Sequence, residues 1–439
     1  MVEIEKIVYS TPSNLSYSTE SFATMTIFQI IAIVLTLAAL GAYLNHHFVK
    51  LPSTIGHMAF ALVVSLCLIV LAELHLVTLQ DISAAISQID FSSILLHGML
   101  SVLLFAGALH INLNDLKHAK LPVFVLATLG VIIATFVTGT LTWWGAAQIG
   151  VPLPYSYALL FGALIAPTDP IAVLSILKTS GASKGLYVKT GGESLFNDGV
   201  GVVVFMAILT SIMSPDKLTS MDIAHMFAWE GVGGAILGLL LGWATYCMLK
   251  SINEYQTELL LTLALVTGGY ALAEYLHMSA PICMVTAGLI IGNHGRNFGM
   301  SDQTREHIDM FWELLDEIFN AILFLLIGLE IIVISLTTNV MLLGFFAIVA
   351  VLVGRLISVG LPISLMRIWR HFNRGTIRAL TWGGLRGGIS IALALSIPSS
   401  AEKDIILPVT YMVVLFSILV QGLTFRKVLK KIYINEAPS

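Results

Sequence analysis

A chain of 439 residues that is 57% hydrophobic and only 11% charged excludes a soluble globular fold, in which charged residues make up about a quarter. Its formal net charge of −4 offers no basic surface to nucleic acid. A mean hydropathy of +0.91, carried by apolar runs of helical rather than strand length, marks an all-α membrane protein held in a lipid bilayer.

The chain opens on a polar tail with Glu3, Glu5, Lys6 and Glu20. A secretory leader needs a basic start and a short apolar core, so the tail is expected to precede a true span. Thirteen spans follow, at 22–44, 54–75, 91–112, 121–147, 156–178, 187–212, 226–249, 257–276, 280–292, 308–335, 340–366, 376–397 and 405–428. No length remains between them for a soluble domain. Cys67, Cys247 and Cys283 fall singly in apolar runs, which suits small core residues rather than a metal site or a disulfide framework.

Lysine and arginine fix the expected orientation. One set of alternate loops, together with the C-terminus, holds seventeen of them, from Lys50, Lys117 and Lys120 to Arg426, Lys427, Lys430 and Lys431. The opposite set holds three, Lys6, Lys217 and Lys403. The basic side is cytoplasmic, so the N-terminus is expected outside and the C-terminus inside. An odd number of spans satisfies this parity.

Two spans carry helix breaks. The fifth is interrupted at Pro167-Thr168-Asp169-Pro170, since proline cannot continue the helical ladder. The twelfth is interrupted at Gly383-Gly384-Leu385-Arg386-Gly387-Gly388. They lie seven spans apart and so cross the membrane in opposite directions. Paired interruptions of this kind point to inverted repeats with a binding site at the bilayer midplane. Each break frees carbonyls at one half-helix end and N–H groups at the next half's start. Asp169 can cap the positive end in the fifth span, or ligate a cation directly. Arg386 can offset the carbonyl ends in the twelfth. The freed carbonyl of Thr168 suits a cation.

The sixth span adds Glu193, Ser194, Asn197 and Asp198. Ser194 and Asp198 are four apart and share a helical face; Glu193 and Asn197 share the adjacent one. A hydroxyl and a carboxylate converging on one point suit a small hard cation. A buried lone carboxylate is costly as an anion. It is satisfied by a proton or by a monovalent cation, and competition between the two is sufficient for exchange. Glu193 needs a cationic companion, with Arg355 in the eleventh span the first candidate and Arg386 the second. If Arg355 takes it, one transportable charge remains at Asp198, and exchange is electroneutral. A scaffolding salt bridge is the plainer role for Glu193 and Arg355, and an interhelical hydrogen bond that for Asn197.

Glu306, Asp309, Glu313, Asp316 and Glu317 gather at the start of the tenth span. They form either a solvated interfacial stripe or a negative funnel that concentrates cations. His46, His47, His118 and His294 lie near the cytoplasmic edge, where they either sense pH or, the plainer role, are interfacial polar residues; Glu73 takes no assigned role.

At these positions the chain resembles the cation/proton antiporter family 1, the bacterial NhaP-type antiporters and the animal sodium/proton exchangers. The resemblance rests on Leu51-Pro52-Ser53-Thr54, Pro167-Thr168-Asp169-Pro170, Glu193-Ser194 with Asn197-Asp198, Phe311-Trp312-Glu313, Arg355 and Gly384-Leu385-Arg386-Gly387-Gly388. It spans nearly the whole chain. It implies a thirteen-helix homodimer in the bacterial inner membrane, in which an ion-binding core moves against a dimerisation part. The core would include spans 5–6 and 12–13, about 156–212 and 376–428. It also implies that Asp198 carries Na⁺ (or Li⁺ or K⁺) and H⁺ in turn, with Ser194 and the Thr168 backbone as co-ligands and no cofactor. Asn197 stands where electrogenic relatives have a second Asp, and Arg355 where they have a Lys. Many members carry an acid in the third span, where this chain has Phe105-Ala106-Gly107-Ala108. The alternatives are a sodium-coupled organic-solute symporter or channel on the same plan. An intramembrane hydrolase pairing Asp169 with Asp198 is disfavoured, because Asp169 is committed to a helix end.

Overall fold

The computed structural model describes residues 27–74, 91–180, 184–214, 220–330, 337–370, 372 and 375–434. The N-terminal tail and Lys217 lie outside them, as do the first residues of the first predicted span and the last of the tenth. All described secondary structure is helical. Apart from two three-residue turns, Phe91–Ser93 and Arg296–Phe298, the α-helices are α1 (Ile27–Leu44), α2 (Ser53–Glu73), α3 (Leu100–Leu109), α4 (Leu113–Ala127), α5 (Leu129–Ile149), α6 (Tyr155–Ile165), α7 (Pro170–Thr179), α8 (Lys184–Met213), α9 (Ser220–Lys250), α10 (Tyr255–Tyr275), α11 (Ala280–Ile290), α12 (Asp302–Glu330), α13 (Thr338–Met366), α14 (Thr376–Trp382), α15 (Gly388–Ser396), α16 (Lys403–Phe416) and α17 (Leu423–Ile434). Four π-helical stretches, Asn45–Val49, Ile94–Met99, Ile291–Gly295 and Ser417–Gly422, extend or join them. Seven of the helical runs are long and apolar enough to cross a membrane.

Helix limits follow local chemistry. The Asn112 side chain accepts from the N–H groups of Asn114 and Asp115 and starts α4. Ser279 accepts from the Ile282 N–H ahead of Pro281 and starts α11. These caps satisfy donors that a helix start leaves unpaired. Asn45 holds the Leu51 backbone at both N–H and C=O, which shapes the turn into the Leu51-Pro52-Ser53-Thr54 string. The fourth predicted span begins earlier than expected, at Leu113, and bends at Thr128, between α4 and α5. Lys117 and Lys120 are therefore helical rather than in a loop.

The helices pack in two sets, joined by contacts of α8 with α9 and α11 and by a shared apolar core. In one, α5 packs on α6 and α13, α8 on α4 and α6, and α16 on α13 and α15. In the other, α9 packs on α10 and α11, α3 on α11, and α12 on α1 and α2. Close approach of α5 and α6 depends on small residues. A Cβ at Gly162 would sit 2.2 Å from the Thr135 carbonyl oxygen, and one at Gly139 would sit 2.8 Å from that of Ala158. Membrane helices associate through such backbone contact rather than through a hydrophobic drive. This contact anchors the half-helix that leads into the fifth-span break. Of the cysteines, Cys283 is buried as expected, but Cys67 and Cys247 lie on the outer surface. A helix that crosses a bilayer can turn an apolar face outward, so an apolar run does not imply a core position.

Candidate ion-binding site

Both predicted breaks are present, and they lie against each other. Helix α6 ends at Ile165, the chain is non-helical through Pro167 and Thr168, and α7 begins at Pro170. Across from it, α14 ends at Trp382 and α15 begins at Gly388. The Asp169 N–H donates to the Leu385 carbonyl at 2.7 Å, which joins the two non-helical segments directly.

The four half-helix ends are each compensated. Asp169 immediately precedes α7, so its carboxylate sits at the positive end of that half-helix. It also lies against Gly387, the residue before α15: a Cβ added there would come 2.8 Å from Asp169 Oδ2. One carboxylate thus serves the positive ends of both half-helices. Arg386 is almost fully buried. Its Nη1 donates to the carbonyls of Ala166 and Pro167, the latter at 2.8 Å. It therefore offsets the carbonyl end of the fifth span, not of the twelfth as the sequence suggested. The carbonyl end of the twelfth is served instead by Gln421, whose Nε2 donates to the Trp382 carbonyl at 3.2 Å. Ser417 accepts from the Arg386 N–H at 2.8 Å. Gln421 and Ser417 belong to the π-helical stretch that follows α16, where the widened turn carries both side chains to the break.

Because Gly387 has no side chain, the Asp169 carboxylate can approach the α15 N-terminus. Gly387→Ala would push the two segments apart by several tenths of an ångström. Exchange activity is expected to fall by about 10-fold or more, since misplacement of a binding group by less than an ångström is costly in a rigid site. Proton-flux measurement in proteoliposomes checks this.

On α8, Glu193 is fully buried and forms a two-pronged pair with Arg355 of α13, Nη1 to Oε1 at 2.5 Å and Nη2 to Oε2 at 2.9 Å. Planar fork-to-carboxylate pairing is the strong geometry for these groups. Arg355 also reaches the Leu380 carbonyl at 3.3 Å, with Gly384 directly beneath its guanidinium. Asn197 accepts from the Thr168 N–H at 3.2 Å and donates to Thr168 Oγ1 at 2.8 Å. The hydroxyls of Thr168 and Ser194 lie 2.8 Å apart. This network ties α8 to the fifth-span break.

Asp198 is also buried, at 2% exposure. Unlike Glu193, its carboxylate makes no hydrogen bond and no ion pair with any described residue. It lines a cavity of about 40 Å³ together with Asp169, Asn320 and Ser390, within apolar walls that include Leu103, Leu323 and Ile389. That volume holds about two or three water-sized bodies. Thr168 and Ser194 stand beside this cavity rather than among its lining residues, and their hydroxyls face each other. A larger vestibule of about 690 Å³ opens towards Lys50, Lys178 and Arg426, with Glu313, Asp316 and Glu317 on one wall. Of the predicted acidic group, Asp309 instead pairs with Arg296.

Sequence reasoning missed Asn320, Ser390, Ser417 and Gln421. The available signal was a polar side chain in the middle of an apolar run, which is costly unless satisfied.

A family model described as "Sodium/hydrogen exchanger, transmembrane" matches residues 33–431. The chain belongs to the sodium/hydrogen exchanger family. Within this family it is similar to the Na(+)/H(+) antiporter NhaP of Pseudomonas aeruginosa, with 50% identity over 93% of this chain and 97% of that protein. It is 36% identical to the Na(+)/H(+) antiporter NhaH of Halobacillus dabanensis, over 83% of this chain and 89% of the relative. Its fold is similar to the solved sodium proton antiporter MjNhaP1 of Methanocaldococcus jannaschii, with a TM-score of 0.72 at 19% identity, covering 92% of this chain and 98% of that one. The matched residues 33–431 include both helix breaks, Glu193, Arg355 and Asp198.

Proposed function

We propose that this chain is a secondary Na⁺/H⁺ antiporter in which Asp198 binds a cation and a proton in alternation. The observation that carries this reading is the contrast between two carboxylates on one helix. The charge of Glu193 is already matched by Arg355 at 2.5 Å and 2.9 Å. Asp198 is equally buried, has no cationic side chain against it, and faces a small cavity. A buried carboxylate left without a counter-charge is costly, so it is occupied by H⁺ or by Na⁺ (or Li⁺ or K⁺). The space directly beside Asp198 is far below the several hundred cubic ångströms of a typical organic-ligand site, so it suits a small ion rather than an organic solute at this carboxylate.

In this reading the thirteen predicted spans, several of them built from two helices, cross the bilayer, with the N-terminus outside and the C-terminus inside. The fifth and twelfth are equivalent members of inverted repeats. The core of predicted spans 5–6 and 12–13 gains the fourth and eleventh, which pack on it. The remaining spans form the scaffold and, by family resemblance, a homodimer contact. Asp169 and Arg386 hold the crossing together. Thr168, Ser194 and Asn197 position the α8 face that bears Asp198, with Ser194 and the Thr168 carbonyl as further cation ligands.

One charge moves at Asp198, so the proton-loaded and cation-loaded forms carry equal charge. Exchange is expected to be one for one and insensitive to voltage. In proteoliposomes with a pH-reporting dye, added Na⁺ should drive proton movement at a rate unchanged by a membrane potential of either sign set without a gradient of Na⁺, Li⁺ or K⁺. No proton movement with Na⁺, Li⁺ or K⁺ would reject the antiporter. A steep voltage dependence would reject the stoichiometry.

A further inference from the structure

We propose that Asn320 is a one-sided gateway ligand: it strips and receives the cation as it passes from the vestibule to Asp198, and takes no part in its passage to the opposite face. The inference rests on the antiporter reading, and three observations support it.

The first is position. The residues lining both the inner cavity and the vestibule are Leu103, Pro170 and Asn320. A cation moving between these spaces passes this constriction, where Asn320 supplies the polar side chain. The second is an unused acceptor. Asn320 is 5% exposed. Its Nδ2 donates to the Asp316 carbonyl at 2.7 Å, whereas Oδ1 is buried and accepts no hydrogen bond. The amide orientation is fixed by chemistry, because turning it over would set one acceptor against another. An uncharged oxygen left without a donor is a fit replacement for a water lost from a monovalent cation's shell. The third is its mounting. Asn320 sits on α12, which packs with α1 and α2, while Asp198 sits on α8, which packs with α4 and α6. The constriction is therefore built between the two helix groups. Ser390 Oγ is likewise buried and unsatisfied, but it lines the inner cavity alone and lies on α15. It faces a bound cation whichever side that cation came from.

Everted and right-side-out membrane vesicles separate the two residues, because each orientation presents a different face to added Na⁺. Asn320→Ala is expected to raise the half-maximal Na⁺ concentration by about 10-fold in one orientation, the loss of one ligand to a charge, with a change below about 2-fold in the other. Ser390→Ala is expected to raise it similarly in both. Asn320→Asp keeps the oxygen and adds charge, so it should lower the value in the same single orientation that Asn320→Ala raises it. It also serves if the alanine variant does not yield a monodisperse protein. Equal shifts of an Asn320 variant in the two orientations, or no shift in either, would overturn the gateway. Wild-type vesicles that move no protons on Na⁺ addition would instead sink the antiporter reading.

Discussion

Asp198→Asn is expected to abolish Na⁺-driven proton movement while the protein still folds. The carboxamide has nearly the volume of the carboxylate, so the cavity walls are retained. It carries no charge to hold a monovalent cation and no proton to release near neutral pH. Exchange should fall by about 100-fold or more, to the level of empty liposomes, since both half-reactions use this one group. Thermal stability should be unchanged or slightly higher, because an unpaired buried carboxylate is replaced by a neutral amide of equal size. Flux in proteoliposomes and melting in detergent are read on the same preparation. Activity within a few-fold of wild type would remove Asp198 as the carrier. Asn197→Ala is a useful neighbour for comparison: it removes the amide that holds Thr168 but leaves the carboxylate in place, so loss in that variant is expected to be partial.

The second large effect concerns stability. Arg355→Met removes the guanidinium from a fully buried carboxylate and leaves Glu193 unmatched. Breaking a buried pair from one side costs about 3–5 kcal/mol. The Arg355→Met protein should therefore melt well below wild type or fail to accumulate. Glu193→Gln combined with Arg355→Met removes both charges and should recover much of that loss, since replacing a whole buried pair is often close to neutral. The two charges cancel, so the double variant is also expected to keep voltage-insensitive exchange. Double-variant stability as low as that of Arg355→Met alone would show that the pair is not the source of the effect. Voltage-sensitive exchange in the double variant would show that Glu193 or Arg355 shares in the transported charge.

The legible part of the site is the part whose cost is set by burial alone. A carboxylate within an apolar span must be neutralised wherever its helix lies, so Glu193, Asp198 and Arg355 stand out in the chain without any knowledge of contacts. Prolines around Asp169 and glycines around Arg386 break helices by local sterics, and both breaks fall where expected. The choice of neighbour was less legible. Arg386 reaches the carbonyls of the opposite break, because an arginine side chain is long enough to cross between touching segments and its own helix end is already served by Gln421. Ser194 shares a face with Asp198, yet its hydroxyl is taken up by Thr168. Asn320 lies outside the strings that carry the family resemblance, and its place at the constriction and its unused acceptor, both visible only in the fold, distinguish it from an ordinary buried amide.

Hydropathy and helix-breaking residues alone determined an all-helical membrane chain with two interrupted spans and a small set of costly charges, because those properties depend on composition and on the local backbone. The tertiary structure decided which charges meet, which acid is left over, and which oxygens border the cavity. Those outcomes depend on the angles and separations of helices far apart in the chain, and a difference of a few ångströms decides whether Glu193 or Asp198 receives the arginine.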